Sequence, residues 1–148
     1  MAIFQTSDEL YEILGGFFEK VRYVEEAYLI YQVGGAIDFV FDHPDARMVW
    51  VPQRDEPVTT PFRVERGAEP APALLTFLQA GDTAHRFWLG YLDLQQALAR
   101  QQVRARGPLS RAMKLLPHLD GIYPLYHEHL AAIGRADLIL PRPGSLTS

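Results

Sequence analysis

The run "AIDFVFDHPDARMVWVPQ", Ala36 to Gln53, limits the fold more than any other part of the chain. Ile37, Phe39 and Phe41 alternate with Asp38, Val40 and Asp42, as a strand with one buried face requires. "HPDAR" supplies a turn and "RMVWVPQ" reads as the returning strand, so the run is an antiparallel hairpin. A hairpin has to cover its apolar face with a second layer, and the flanking sequence offers helices.

Upstream, Thr6 and Glu9 have capping-box spacing, and Leu10, Ile13, Leu14, Phe17 and Val21 follow at helical period. A helix from about Ser7 to Arg22 is predicted, weakened in its middle by Gly15-Gly16. "YVEEAYLIYQV" gives a second helical piece, with Tyr23, Ala27, Tyr28 and Tyr31 on one side, ending at Gly34-Gly35. A strand turning at the double glycine is the alternative, disfavoured because the apolar residues there do not alternate.

Downstream, "RDEPVTTP" reads as a loop and "PFRVERG" as a strand with Phe62 and Val64 on one face. After the Pro-rich break "AEPAP", the short run "ALLTFLQ" reads as a strand stopped by "AGD". Asp82 is the expected N-cap of "TAHRFWLG" and Gly90 its C-cap, and Asp93 caps "LQQALARQQ". "VRARG" alternates apolar and basic residues, a fifth strand ended by Gly107-Pro108. Leu109, Ala112, Met113 and Leu116 form one face of a short helix that Pro117 stops, with Arg111 and Lys114 off that face. A last helix runs from about Ile122 to Ile133, carrying Leu125, Tyr126, Leu130 and Ile133. Residues 1–140 are then one domain, and 141–148 a loose tail. The order of helices, four strands, helices, one strand and helices predicts an α+β domain rather than a doubly wound parallel sheet.

A chain of 148 residues suffices for one core. With 48% hydrophobic and 22% charged residues it reads as a soluble globular protein. The absence of cysteine excludes disulfides and thiol chemistry. "MAIFQTSDEL" lacks the basic and apolar regions of a signal peptide, and no apolar run nears the ~18 residues of a membrane span. A cytoplasmic protein is expected. Net charge is −4, unevenly spread. Residues 1–45 hold nine acids against two bases, whereas residues 86–114 hold six bases against Asp93 alone. Such segregation favours an anionic partner if it persists in space. Pairing with acids elsewhere in the fold is the competing reading.

Catalytic and metal motifs are absent. Neither G-x-G-x-x-G nor a P-loop pattern occurs. Ser110 and Lys114 are spaced one residue too far for the S-x-x-K pattern, and none of its companion motifs is present. His127 and His129 are two apart, about 200° around a helix, so one metal cannot take both. All five histidines read as surface or rim residues, and no acidic pair stands out. The basic segment has no exposed aromatics interleaved with arginine, which argues against nucleic acid. Phe17, Phe77, Phe87, Trp88, Tyr91, Leu98, Met113, Tyr123 and Tyr126 remain, and periodicity reads them as core as readily as pocket lining.

One longer pattern narrows the choice. "HRFWLGYLDLQQALARQQVRARGPLSRAMKLLPHL" resembles the signature region of the sterol carrier protein type 2 family. Gly90-Tyr91-Leu92-Asp93 fills the G-x-L turn and its Asn/Asp, and Ala97-Leu98 the middle of the next helix. "VRARG" fills the basic-apolar strand, and Ala112 to Leu116 the A-x-K-L-L helix. "FVFDHPDARMVWV" fits the family's first hairpin in outline. The chain departs from the pattern at Tyr91, where lysine is usual, at Pro108, where Asp or Asn is common, and at its end, "LTS", which is not the peroxisomal tripeptide.

The resemblance implies a five-stranded, mainly antiparallel sheet covered by helices, with an apolar tunnel for a fatty acyl chain, sterol or isoprenoid-like lipid. It implies no catalytic residue, no metal and no cofactor. Phe17, Phe77, Phe87, Trp88, Leu98, Met113, Leu116, Tyr123 and Tyr126 are the expected lipid-binding residues. Arg104, Arg106, Arg111 and Lys114 are expected beside the tunnel mouth, facing an anionic membrane. Lipid binding or transfer is the first reading. An accessory protein that presents a lipid intermediate, such as a quinone precursor, to biosynthetic enzymes is the second. A module of an enzyme like the alkyl sulfatases is the third, and it would need a separate metal-binding domain.

Overall fold

Alternation sets the centre of the molecule. The computed structural model describes residues 2–54, 60–67 and 73–142. Five strands, β1 (Ile37–Asp42), β2 (Ala46–Pro52), β3 (Phe62–Arg66), β4 (Leu75–Ala80) and β5 (Val103–Arg106), form one sheet in the order β3-β2-β1-β4-β5. The β1–β2, β2–β3 and β4–β5 pairs are antiparallel, and β1–β4 is parallel. The registers Ile37↔Trp50, Phe39↔Met48 and Phe39↔Phe77 put the apolar halves of three strands on one face. On the other face Arg63, Arg104 and Arg106 are exposed, while Asp38 is buried beneath Arg47, Oδ2 to Nη2 2.5 Å. The α+β class and the mainly antiparallel five-stranded sheet expected from sequence are therefore present.

The first helix is one continuous rod of three parts, α1 (Ser7–Leu10), a π-helical segment (Tyr11–Gly15) and α2 (Gly16–Val21). Thr6 Oγ1 accepts from the Glu9 amide at 3.1 Å, and Glu9 accepts in return from Gln5 N–H at 3.0 Å, so the reciprocal bond falls one residue earlier than in a standard capping box. Gly15-Gly16 is a packing feature here. The Arg66 guanidinium and the His129 ring lie within 2.7 and 3.2 Å of where Cβ atoms would stand. A 3-10 turn (Glu25–Tyr28) leads into α3 (Leu29–Val33), which Gly34 ends at φ +92°, so the helical reading of this stretch holds over the strand alternative.

Four further helices follow: α4 (Gly81–Trp88), α5 (Leu94–Ala99), α6 (Leu109–Met113) and α7 (Leu116–Ala132). Asp93 caps α5, its Oδ2 accepting from Gln96 N–H at 3.1 Å. Asp82 does not cap α4. It lies in the first turn and accepts from the Ile3 amide at 2.8 Å, tying the N-terminus to the helix. Pro117 does not stop a helix either. It stands in the first turn of α7, where a missing N–H costs nothing, so α7 begins at Leu116 rather than Ile122. Gly107 leaves β5 at φ +105°, with Leu74 O 2.3 Å from its missing Cβ. Of the expected loops, most of "RDEPVTTP", "AEPAP" and the tail beyond Arg142 lie outside the described residues. No described helix is long and apolar enough to cross a membrane.

The helices cover the apolar face of the sheet, and aromatic rings fill the seam. Trp50 stacks on Phe62 at 4.6 Å and meets Phe39 and Phe18 at 4.9 and 5.0 Å. Trp88 closes the cluster from α4, with Phe18 at 5.6 Å and Trp50 at 6.0 Å.

Candidate functional site

Inside this seam lies an apolar cavity. The sheet contributes Phe39, Trp50, Phe77, Gln79 and Val103, all on its covered face. Opposite them stand Phe87 and Trp88 from α4, Leu94 from α5, Leu29 from α3, and Leu115, Leu119 and Ile122 at the start of α7. All but Gln79 are apolar. The free space is about 20 Å³, room for one water-sized body. Pockets that hold small ligands span ~300–1,000 Å³, so the walls are closed together here. The tunnel expected from sequence is thus not open among the described residues. A narrow void lies between the sheet and the helices.

The predicted lining residues divide. Phe77, Phe87 and Trp88 face the cavity. Phe17 stands behind Trp88, rings 5.4 Å apart, and against Tyr126 at 4.7 Å. Tyr126 is buried behind the cavity rather than within its lining, held by a hydrogen bond. Tyr123 lines an outer depression with Gly90, Tyr91 and Asp120, where burial chiefly, and then Asp120 and Asp93, push its phenol up to about 12. Leu98 lines an open groove along β5 with Arg104 and Leu109. Met113 and Leu116 are half-buried and do not line the cavity; Leu115 does, because α7 begins earlier than predicted.

Sequence reasoning passed over Leu29, Phe39, Trp50, Gln79, Leu94, Val103, Leu115, Leu119 and Ile122. Strand alternation carried the signal for Phe39, Trp50, Gln79 and Val103, since each shares Phe77's face. Leu115, Leu119, Ile122 and Tyr126 follow at i, i+4, i+7 and i+11, a stripe obscured by reading Pro117 as a stop.

Polar groups behind the cavity are fixed. His85 and His129 are buried, against the expectation of surface histidines. His85 Nε2 donates to Leu138 O at 2.7 Å, which leaves Nδ1 to accept from Tyr126 O–H at 2.7 Å. Burial holds the His85 imidazole below its ordinary pKa and raises the Tyr126 phenol. His129 Nε2 donates to Ile13 O, in the π-helical segment, at 2.9 Å, and burial depresses this ring too. His127 Nε2 bonds Leu89 O at 2.8 Å.

The four basic residues also divide. Arg104 and Arg106 project from the uncovered face of β5. Arg111 Nη1 donates to Val33 O at 3.1 Å, closing the end of α3. Lys114 is exposed at the end of α6. Among the described residues none of these four forms an ion pair, so the acids of the N-terminal part do not neutralise them by direct contact.

A five-stranded mixed sheet with helices over one face and an apolar seam between them defines a sterol-carrier-like α+β fold. No protein-family model and no curated protein matches the chain, but solved structures do. Sterol carrier protein 2 from Yarrowia lipolytica, in its apo form, is similar with a TM-score of 0.55 at 12% identity, covering 83% of this chain and 96% of that one. The sterol carrier protein domain 2 of Helicoverpa armigera gives 0.56 at 19% identity, over 78% and 88%. A Thermus thermophilus protein described as possibly a sterol carrier protein gives 0.56 at 14%, over 87% and 90%. The chain has the sterol carrier protein 2 fold.

Proposed function

We propose that this protein binds and carries a lipid, enclosing its hydrocarbon part between the sheet and the first half of α7, and performs no chemistry on it. The observation that carries this reading is the lining itself. Large apolar side chains from four strands and four helical regions converge on one void, with a single amide among them. Each methylene buried there is worth ~0.8 kcal/mol, enough for binding by area alone. The names of the similar structures, sterol carriers, point the same way.

Ligand entry requires the walls to part, and the seam has one wall suited to it. Leu115, Leu119 and Ile122 are held by apolar contacts, which are non-directional and can be exchanged for contacts with a lipid. Beside that wall, Leu109 is 56% exposed and shares a groove with Leu98 and Arg104. With Arg106, Arg111 and Lys114 close in sequence, this corner is the proposed point of contact with an anionic membrane.

Native mass spectrometry of protein purified from cells tests the reading. A retained lipid mass is expected, and its identity separates an acyl lipid from a sterol or an isoprenoid quinone precursor. Titration with fluorescent acyl chains of increasing length should give affinity that rises and then levels. No adduct, and no binding at any chain length, would overturn the proposal.

A further inference from the structure

Three of the residues that line the cavity carry a polar side-chain group with no hydrogen-bond partner among the described residues. Trp50 and Trp88 are 1% and 3% exposed, and each indole Nε1–H is buried with no acceptor among the described residues. The side chain of Gln79, 7% exposed, also lines the void and forms no hydrogen bond in the described structure. The rings around the indoles, Phe17, Phe18 and Phe87 about Trp88 and Phe62 against Trp50, offer only π faces, which are weak acceptors. A core needing only apolar mass would do better with Phe and Leu at these positions, since a buried donor left unpaired is destabilising.

Resting on the lipid-carrying reading above, we propose that the cavity selects uncharged lipids that bear a carbonyl oxygen, and that the indole N–H groups of Trp50 and Trp88 and the amide of Gln79 receive that oxygen inside the seam. Two N–H donors and an amide suit an oxygen with two lone pairs. Among the described residues no charged side chain lines the void, so an ionised carboxylate would lose its hydration with no cation to replace it. The polar end of the ligand therefore points inward, against the sheet, and a free fatty acid anion is a poorer ligand than a ketone, ester or quinone of equal length.

The chain has two tryptophans, so its indole ¹⁵N–¹H spectrum holds two side-chain peaks, both belonging to the site. The test compares decane, 2-decanone and decanoate at pH 8 as competitors of a bound acyl fluorophore, and records the indole spectrum with each. 2-Decanone is expected to compete at about tenfold lower concentration than decane, as one or two net hydrogen bonds allow, and to move both indole peaks downfield. Decanoate should compete less well than the ketone. Gln79→Leu should shrink the ketone's advantage about fivefold, read as the ratio of 2-decanone to decane within the same variant. Equal competition by decane and 2-decanone with unmoved indole peaks would overturn the inference while leaving lipid carriage intact, and decanoate competing best would overturn its neutrality. Failure of the fluorophore and all three compounds to bind would instead sink lipid carriage itself. The wild-type spectrum requires no substitution, so the outcome does not depend on a variant's folding.

Discussion

The two halves of α7 are built differently, and Pro124 stands between them. The proline has no N–H to give to Asp120 O, so the helix lacks a backbone bond where its halves join. Beyond it, Tyr126 and His127 reach α4 and its C-terminal cap, and His129 reaches the π-helical segment, through hydrogen bonds of 2.7 to 2.9 Å. Before it, Leu119 and Ile122 rest on the cavity, and His118 bonds to Gln32 at 3.0 Å, near the surface. Directional bonds fix the register of a helix, whereas apolar contacts fix only its side. The comparison teaches that one helix can gather its hydrogen bonds to other elements at one end and leave the other end held by apolar contacts, the arrangement that the proposed parting of the walls would use.

The largest effect should come from the anchored half. His85→Ala leaves the Tyr126 hydroxyl and Leu138 O unpaired in the core and opens a hole beside them. A loss of about 4 kcal/mol is expected in urea unfolding, from two unsatisfied groups at ~1–3 kcal/mol each plus lost packing. A loss below about 1 kcal/mol would mean the anchor is not one. Leu119→Ala, in the movable half, should cost about 2–3 kcal/mol without ligand. It also enlarges the void, so acyl affinity should hold or rise while stability falls. Matched losses of stability and affinity, read by acyl titration, would erase the distinction between the halves.

Acid should loosen the anchored half next. Burial depresses His85 and His129 in the folded state, so on acidification the unfolded chain takes up protons first. Their contribution is present above the ordinary value of 6.5 and is lost as pH falls through the depressed folded values. Urea midpoints should therefore drop below about pH 6.5, less steeply in His129→Gln than in the wild type. Midpoints flat down to pH 5 would contradict this account.

Where a rule of periodicity acted alone, the sequence was legible. Alternation placed β1 and β2, Gly34 ended α3, and Asp93 capped α5. The α+β class followed from the order of these signals, and the likeness to sterol carriers from the segment after His85. The site was less legible because its polar and apolar residues obey the same patterns. His85 and His129 look like any helical histidines until tertiary contacts bury them, and the orphan indoles of Trp50 and Trp88 look like core. Pro117 could signal a stop or a first turn, and choosing the stop moved the predicted lining from Leu115 and Leu119 to Met113 and Leu116. Closure of the walls belongs to packing, which no spacing encodes.

The smallest effect concerns the corner beside the movable half. Arg104, Arg106 and Lys114 form no ion pair among the described residues, and Arg104 shares a groove with the exposed Leu109, whereas Lys20 is exposed on α2, which packs against α7. Charges near an anionic bilayer contribute roughly 1 kcal/mol each. Arg104→Glu with Arg106→Glu should thus weaken flotation with anionic vesicles by one to two orders of magnitude, about 1.4 kcal/mol per tenfold, while stability shifts by less than about 0.5 kcal/mol. Lys114→Glu should act in the same direction, and Lys20→Glu should do little. Arg111→Glu is a poorer test, since it also removes the bond to Val33 O. Neutral vesicles should not distinguish these variants, and raised salt should reduce anionic binding because exposed charges are screened over about 8 Å at physiological strength. If membrane contact serves loading, anionic vesicles should also speed exchange of a bound acyl fluorophore in the wild type and not in the Arg104/Arg106 variant. Equal flotation of all variants, with exchange unaffected by vesicles, would mean the movable wall opens without a membrane beside it and that the basic corner has another use.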